Sequence, residues 1–223
     1  MKNMKSRVFA IGDIHGCFNA MKELIESKIQ LCKEDKLIFL GDYIDRGPDS
    51  KKVLDYIIEL QNNKYDIVTL CGNHESMLID AWYDEKLKYK WIQNGGSETL
   101  LSFGTNQLKN IDSRYILFLE NLNYYYGLDK YIFVHAGFND SIEDPFSDKH
   151  SMLWNSRKGY FNPRLNDRTV IHGHTPVTIN VIQKQITNNA GVINIDGGCV
   201  YTNSRYGKLI ALEVNTRTIL IAE

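Results

Sequence analysis

The first half of this chain repeats one pattern, in which a short apolar run ends at a glycine and a residue able to bind a metal follows. The runs and the pairs after them are Arg7–Ile11 with Gly12-Asp13, Lys36–Leu40 with Gly41-Asp42, and Asp66–Cys71 with Gly72-Asn73. Residues with the apolar spacing of a helix follow the first two runs, at Phe18–Ile29 and after Pro48. Strands that alternate with helices predict an α/β fold with a largely parallel inner sheet.

The second half returns to strand-like segments after a helical stretch. Helical spacing extends from Glu75 to about Leu122, and Asn94-Gly95-Gly96 is predicted as a loop within it. The strands predicted further on are Tyr131–His135, Thr169–His172, Thr178–Ile182, Val192–Ile195, and a closing hairpin of Lys208–Val214 and Thr218–Ala222. No repeat or Pro/Ser-rich linker interrupts the pattern, so we expect a single domain over residues 1–223.

Charge and cysteine usage exclude several classes of protein. The chain has 26 basic and 27 acidic residues, so its net charge of -1 gives no electrostatic footprint for nucleic acid or an anionic membrane. No apolar stretch approaches the roughly 18 residues that a membrane helix needs. The four cysteines have no short paired spacing, which indicates reduced thiols and a cytoplasmic protein. We therefore expect no nucleic-acid partner and no membrane association.

The residues at the predicted strand ends share one kind of chemistry. Loops at the carboxyl ends of neighbouring parallel strands converge on one crevice, so Asp13, Asp42 and Asn73 should lie close together. His135 and His174 follow two later strands. Oxygen and nitrogen ligands without sulfur suit Mn, Fe or Zn. Two such ions about 3.5–4 Å apart can activate a water and stabilise a displacement at phosphorus.

Five motifs in order carry a resemblance to a known family. They are Gly12-Asp13-Ile14-His15-Gly16, the GDYIDRG string of residues 41–47, the GNHE string of 72–75, His135-Ala136-Gly137 and His172-Gly173-His174-Thr175-Pro176. The set resembles the calcineurin-like metallophosphoesterases, and the full GDYIDRG string resembles their phosphoprotein phosphatase branch of bacterial and phage type. The resemblance implies a β-sandwich of two mixed sheets flanked by helices, with four αββα layers.

The resemblance also implies a role for each motif residue. The metal ligands would be Asp13, His15, Asp42, Asn73, His135 and His174, with Asp42 shared by two divalent ions. Mn is the first choice for these ions, with Fe or Zn as alternatives. A water or hydroxide that bridges them would be the nucleophile. His74 would be the general acid, oriented by Asp45.

Arginines would bind the substrate phosphate together with Asn73. Arg46 belongs to the GDYIDRG string, and related enzymes place a second arginine after a tryptophan. Here Arg157 follows Trp154 by three positions instead of the more familiar two, so Arg164 and Arg168 stay open as alternatives. Polar residues beside the motifs are interpreted as supporting or surface groups: Glu75, His150, His172 and Asp196.

Two hypotheses about the substrate follow from the resemblance, and a third denies catalysis. The first is a phosphomonoesterase that acts on phosphoserine or phosphothreonine in proteins, with phosphotyrosine left open. Its partner would be a phosphoprotein or phosphopeptide, and the enzyme would be a monomer. The alternative is a symmetrical bis(5'-nucleosyl)-tetraphosphatase, since these hydrolases share the motifs. A non-catalytic scaffold of the same fold is disfavoured, because every expected ligand is present.

Overall fold

The computed structural model describes residues 6–165, 167–202 and 205–223. The strands are β1 (Val8–Ile11), β2 (Lys36–Phe39), β3 (Asp66–Thr69), β4 (Tyr125–Leu128), β5 (Tyr131–Val134), β6 (Thr169–His172), β7 (Val192–Asn194), β8 (Leu209–Glu213) and β9 (Thr218–Ala222). The α-helices are α1 (Phe18–Lys22), α2 (Ser50–Asn62), α3 (Asn73–Tyr83), α4 (Lys88–Trp91), α5 (Ser97–Ser102), α6 (Ser113–Glu120), α7 (Lys149–Trp154) and α8 (Ile179–Thr187). None of the helices in these ranges combines the length and apolar composition that crossing a bilayer requires.

The strands form two sheets, and both are mixed. The first has the order β3-β2-β1-β8-β9, with β1, β2 and β3 parallel and the closing pair antiparallel. The second has the order β4-β5-β6-β7, with β5, β6 and β7 parallel and β4 antiparallel to β5. The predicted parallel inner strands and the closing hairpin are therefore confirmed, as is the expectation of two mixed sheets.

The two sheets pack face to face, with a shared core between them. Alternate side chains along each strand enter this inner core or the core outside the sheet. Val8 and Ala10 of β1 pack in the core between the sheets, whereas Phe9 and Ile11 pack against the helices outside. In β5, Phe133 enters the same inner core and Ile132 points to the outer face of the second sheet. Strands buried on both faces explain the continuous apolar runs of the sequence.

Helices cover the outer faces unequally. The first sheet carries a large outer core to which α1, α2, α3, α5 and α6 contribute. The outer core of the second sheet is smaller, and it is closed by Phe138, Met152 of α7 and Leu165. The outer layer on this side is thus one short helix with loop segments.

The strand predicted at Thr178–Ile182 is wrong, because a helix begins there at Ile179. Helix α8 covers Ile179–Thr187, and Ile182 is fully buried while Ile179 and Ile186 pack against the same inner core. These positions are spaced by three and four residues, so one helical face buries all of them. Packing against the sandwich outweighs the β-branched composition that favours a strand.

The Asn94-Gly95-Gly96 segment, predicted as a loop, is a kink between two helices. Residues Ile92–Gly96 connect α4 to α5, and Gly95 breaks the helical path with a φ of 102°. That angle lies in the left-handed region that glycine adopts without strain. A Cβ at Gly95 would stand 2.8 Å from the backbone nitrogen of Arg46, so the kink permits a close approach to the Arg46 loop.

Candidate metal centre and active site

The strand-end loops converge on one crevice, as their positions predict. Asp13, Asp42 and Asn73 follow β1, β2 and β3, and His135 follows β5 of the facing sheet. The backbone N–H groups of Ile14 and His15 donate to the carbonyl of Asp42 at 3.0 and 2.8 Å. These bonds lock the first two loops together, so their side chains meet across a short distance.

Two groups of possible metal ligands share Asp42. The first consists of His15, Asp42 and His74, and the second of Asp42, His135 and His174; within each group the ligand atoms lie within 4.8 Å of one another. The Asp42 carboxylate has one oxygen 3.4 Å from His15 Nε2 and the other 3.5 Å from His135 Nε2. A carboxylate placed between two groups is the arrangement expected of a ligand that bridges two ions.

Asn73 completes the second group with an oxygen. Its Oδ1 lies 3.0 Å from His135 Nε2 and 3.0 Å from His174 Nδ1, and those two nitrogens are 3.2 Å apart. Three donor atoms from three separate strand ends therefore point at one position. Mixed oxygen and nitrogen donors of this kind suit Mn, Fe or Zn.

The protonation of the imidazoles fits metal binding. His15 Nδ1 lies 2.9 Å from the Ile44 carbonyl, and His135 Nδ1 lies 3.0 Å from the Leu40 carbonyl. Each Nδ1 must donate its hydrogen there, which leaves the Nε2 lone pair free to face the ligand groups. Burial lowers the pKa of His15 to about 3 and that of His174 to about 4, so both rings are neutral at pH 7.

Asp13 lies beside the second group rather than within either one. Its carboxylate accepts a hydrogen bond from the backbone N–H of His174 at 3.0 Å, and a Cβ at Gly173 would stand only 2.0 Å from Asp13 Oδ1. Burial, followed by the charges of Asp196 and Asp42, raises the pKa of Asp13 well above its usual value. Divalent cations would relieve this crowding of carboxylates, so their charge fits the site.

His74 is held by a carboxylate on one side and has no partner on the other. Its Nδ1 lies 2.7 Å from Asp45 Oδ2, while its buried Nε2 has no hydrogen-bond partner within the described ranges. Burial opposes protonation, but the charge of Asp42 and the bond with Asp45 outweigh it and raise the pKa of His74. A protonated imidazole with one unused N–H is suited to donate a proton.

Residues distant in sequence fix Asp45, and their role was not anticipated from the motifs. The indole Nε1 of Trp91 donates to both Asp45 oxygens, at 2.9 and 3.1 Å, and the Thr99 hydroxyl donates to Oδ1 at 2.6 Å. Trp91 is 46 residues away along the chain. No short-range spacing signals such a contact, because only the packing of α4 and α5 against the Asp45 loop creates it.

Glu75 holds the Asp42 loop by its backbone. Its carboxylate, completely buried, accepts hydrogen bonds from the N–H groups of Asp42, Tyr43, Ile44 and Gly72 at distances from 2.8 to 3.3 Å. The interpretation of Glu75 as a support for the loop agrees with these contacts. Two strand-end loops thereby depend on one side chain.

Arg46 is exposed at the rim of the site and points into it. Its Nη1 lies 2.8 Å from His15 Nε2, and its backbone N–H donates to the Gly95 carbonyl at 3.0 Å. His15, Asp42, Asp45, Arg46 and His174 all have left-handed backbone angles, with φ from 46° to 73°. Such angles are uncommon for residues with a Cβ, and they cluster where a rigid loop must direct a functional side chain.

The other predicted arginines form no hydrogen bond or ion pair with a ligand residue in the part of the chain that the structure describes. Arg157 is exposed and forms no hydrogen bond or ion pair within the described residues. Arg164 pairs with Asp144 at 2.7 Å. Arg168 precedes β6, at the end of that strand opposite His172, and its guanidinium lies near Gly127. Among the arginines considered from the sequence, Arg46 is the one that contacts a ligand residue.

The remaining polar residues near the motifs have structural partners. His172 is buried, its Nδ1 lies 3.0 Å from the Gly173 carbonyl, and burial lowers its pKa to about 4. Asp196 accepts from the Gly198 N–H at 2.8 Å. His150 is exposed and stacks on Trp154.

The arrangement of the ligand groups agrees with a match between the chain and a known family. The profile described as calcineurin-like phosphoesterase matches residues 6–206. The chain belongs to this family. The resemblance carried by the five motifs is thereby confirmed, and the chain is a metallophosphoesterase, a hydrolase of a family that uses divalent metal ions.

Relatives of two kinds align with most of this calcineurin-like phosphoesterase. It is 26% identical to the bis(5'-nucleosyl)-tetraphosphatase PrpE [asymmetrical] of Oceanobacillus iheyensis, over 97% of this chain and 95% of that protein. It is 30% identical to serine/threonine-protein phosphatase 1 of Salmonella typhimurium, over 87% of each chain. A structure described as a putative diadenosine tetraphosphatase superposes with a TM-score of 0.67 at 19% identity, covering 100% of this chain and 95% of the other, which shows the shared fold.

Proposed function

We propose that this metallophosphoesterase hydrolyses dinucleoside tetraphosphates. The observation that carries hydrolysis at phosphorus is the pair of ligand groups that share Asp42 beside His74 and Arg46. The nucleotide substrate is supported by relatives named bis(5'-nucleosyl)-tetraphosphatase, whose alignments span nearly the whole of both chains. The relatives thus favour the alternative drawn from the motifs over the first hypothesis, a phosphoprotein phosphatase.

Two divalent ions, Mn as the first choice, would be held by the six residues that the motifs identify. The resemblance assigns Asp13, which accepts a hydrogen bond from the His174 backbone, to one ion together with His15 and Asp42. Asn73, His135 and His174 would hold the other ion together with Asp42. When bound, the ions would supply positive charge to the phosphoryl oxygens and lower the pKa of a water molecule.

The side chains around the ions would perform the remaining steps. His74 would donate the proton on Nε2 to the leaving phosphate oxygen, because this atom is buried and unpartnered while Nδ1 is held by Asp45. Arg46 would bind the oxygens of the phosphoryl group through its guanidinium. Asn73 turns Oδ1 towards the imidazoles, which leaves its amide nitrogen to donate to the substrate phosphate.

A comparison of substrates tests this proposal. The purified protein is assayed with Mn²⁺ on diadenosine tetraphosphate and on a phosphoserine peptide, and the nucleotide products are separated. We expect turnover of the dinucleotide, and the products identify the bond that is cleaved: ATP with AMP for asymmetrical cleavage, or ADP alone for symmetrical cleavage. Rapid phosphopeptide turnover without any dinucleotide cleavage would show that the proposal is wrong.

A protein phosphatase remains the second candidate, for one specific reason. The relative named serine/threonine-protein phosphatase 1 is 30% identical over 87% of each chain, a higher identity than that of the aligned tetraphosphatases of Oceanobacillus and Anoxybacillus. The same ligand groups and the same proton donor serve a phosphomonoester. The two candidates therefore differ in what lies beside the metal centre and not in the centre itself.

A further inference from the structure

A cavity of about 600 Å³ lies next to the metal centre, between α3, α4 and α7. We call it the α3–α7 cavity, and the lining residues that matter here are Asp80, Lys90, Tyr124, Lys149, His150 and Trp154. Its volume falls within the range of about 300–1,000 Å³ that is usual for small-molecule sites. None of these residues belongs to the motifs at the strand ends.

The α3–α7 cavity borders the metal centre along helix α3 and at Trp154. Helix α3 forms one wall and begins with Asn73 and His74. The ring of Trp154 lies edge-on to the ring of His174, with 6.0 Å between their centroids. A molecule whose phosphate lies at the ligand groups can therefore extend into this cavity.

The lining combines aromatic faces with exposed ammonium groups. Lys149 Nζ lies 4.4 Å from the centroid of the Tyr124 ring, and Lys90 Nζ lies 5.6 Å from that of Trp154. Neither lysine forms an ion pair within the part of the chain that the structure describes. His150 stacks on Trp154 at 6.4 Å with 27° between the planes. Two unpaired cations beside stacked rings suit a ligand that has both phosphates and a flat base.

We propose that the α3–α7 cavity binds the nucleoside and the outer phosphates of a nucleoside polyphosphate whose scissile phosphate lies at the metal centre. This inference rests on the proposed function. The base stacks on the rings of Trp154 and His150, since aromatic stacking recognises any base by its flat face. Lys90 and Lys149 bind the phosphates beyond the scissile one. Asp80, the carboxylate of the lining, accepts a hydrogen bond from a ribose hydroxyl.

Substitutions of the base-binding and phosphate-binding residues test the inference by kinetics and by binding. We expect Trp154→Leu to raise KM for diadenosine tetraphosphate about tenfold, because stacking is lost, with a much smaller change in kcat. Trp154→Phe keeps an aromatic face and should stay near the wild-type KM. Lys90→Gln and Lys149→Gln should each raise KM about fivefold at low salt. Lys88→Gln, on α4 but outside the cavity lining, is the matched control and should leave KM unchanged.

Calorimetric titration separates recognition of the base from recognition of the phosphates, with ATP and inorganic tripolyphosphate as probes. Trp154→Leu should weaken the binding of ATP more than that of tripolyphosphate, whereas Lys149→Gln should weaken both. Wild-type KM and ATP affinity in Trp154→Leu and in both lysine variants would overturn the inference, while dinucleotide turnover by the wild type would leave the proposed function intact.

Absence of dinucleotide turnover by the wild-type protein refutes the proposed function by itself. In that case, absence of ATP binding to the wild type also overturns the inference.

Discussion

The imidazole Nδ1 of His74 lies 2.7 Å from Oδ2 of Asp45, and both side chains are completely buried. The other ring nitrogen of His74 has no partner among the described residues. Asp45 is fixed in turn by Trp91 and Thr99. The contact orients His74 as a proton donor, and its ring lies in the same ligand group as Asp42.

Replacement of His74 should slow substrates with poor leaving groups most. A general acid contributes about 10²–10⁴-fold to the rate, and this help matters least when the leaving group is already stable as an anion. We expect His74→Asn to lower kcat strongly for phenyl phosphate and less for p-nitrophenyl phosphate, in assays at saturating Mn²⁺.

Metal analysis of the same variant is the control. The bound metal in His74→Asn should equal that of the wild type, because His74 is proposed as a proton donor although its ring lies in one ligand group. A loss of bound metal would instead make His74 a ligand, and an equal loss of rate for both leaving groups would contradict its role as proton donor.

Removal of the Trp91 hydrogen bond should change kcat and leave KM nearly unchanged. Trp91→Phe keeps most of the buried ring but deletes the N–H that holds Asp45, so kcat should fall about tenfold, as for other supporting residues of metal sites. Because Asp45 raises the pKa of His74, a loosened Asp45 lowers it, and the basic limb of the pH–rate profile should move to lower pH. Trp82→Phe, at a half-buried tryptophan outside the site, is the matched control. A profile identical to that of the wild type would exclude this positioning role.

Neutralisation of Asp42 should release both metal ions, since its carboxylate belongs to both ligand groups. After incubation with Mn²⁺ and gel filtration, we expect the metal content to fall from about two ions per chain in the wild type to below one in Asp42→Asn. Asp129→Asn is a control at an exposed aspartate with a left-handed backbone, which asparagine tolerates. Wild-type metal content in Asp42→Asn would contradict the bridging role.

The ion pair between Arg7 and Asp35 should make stability depend on pH. Arg7 Nε and Nη2 donate to the two Asp35 oxygens at 2.9 and 2.6 Å. Burial opposes ionisation of Asp35, but the bonds from Arg7 and Cys32 outweigh it, so the folded pKa lies below the ordinary value. The pair therefore stabilises the fold above the unfolded pKa of about 3.9, and this contribution is lost as the pH falls through the folded pKa.

Urea unfolding at two pH values measures this contribution. At pH 7 we expect Asp35→Asn to lower the free energy of unfolding by about 1–3 kcal/mol relative to the wild type. At a pH below the folded pKa of Asp35 the difference should shrink, because the wild-type carboxyl is then protonated as well. An equal difference at both pH values would mean that the charge of Asp35 contributes nothing.

The sequence alone determined the parts of this protein that depend on local pattern. Each of Asp13, Asp42 and Asn73 follows an apolar strand and a glycine, and parallel strands end at the same edge of a sheet, so their convergence could be predicted. The alternation of side chains along β1 and β5 likewise follows from the period of a strand. The family was recognisable from the five motifs in order, and the two mixed sheets followed from that resemblance.

The tertiary structure decided the contacts between segments that are distant in the chain. Trp91 and Thr99 reach Asp45 across 46 and 54 residues, and Ile179–Thr187 is a helix because one of its faces is buried against the sandwich. The α3–α7 cavity likewise depends on how three helices pack beside the strand ends. A local pattern specifies the direction of a side chain relative to its own strand or helix. Its partner depends on the packing free energy of the whole fold, which no short window of sequence contains.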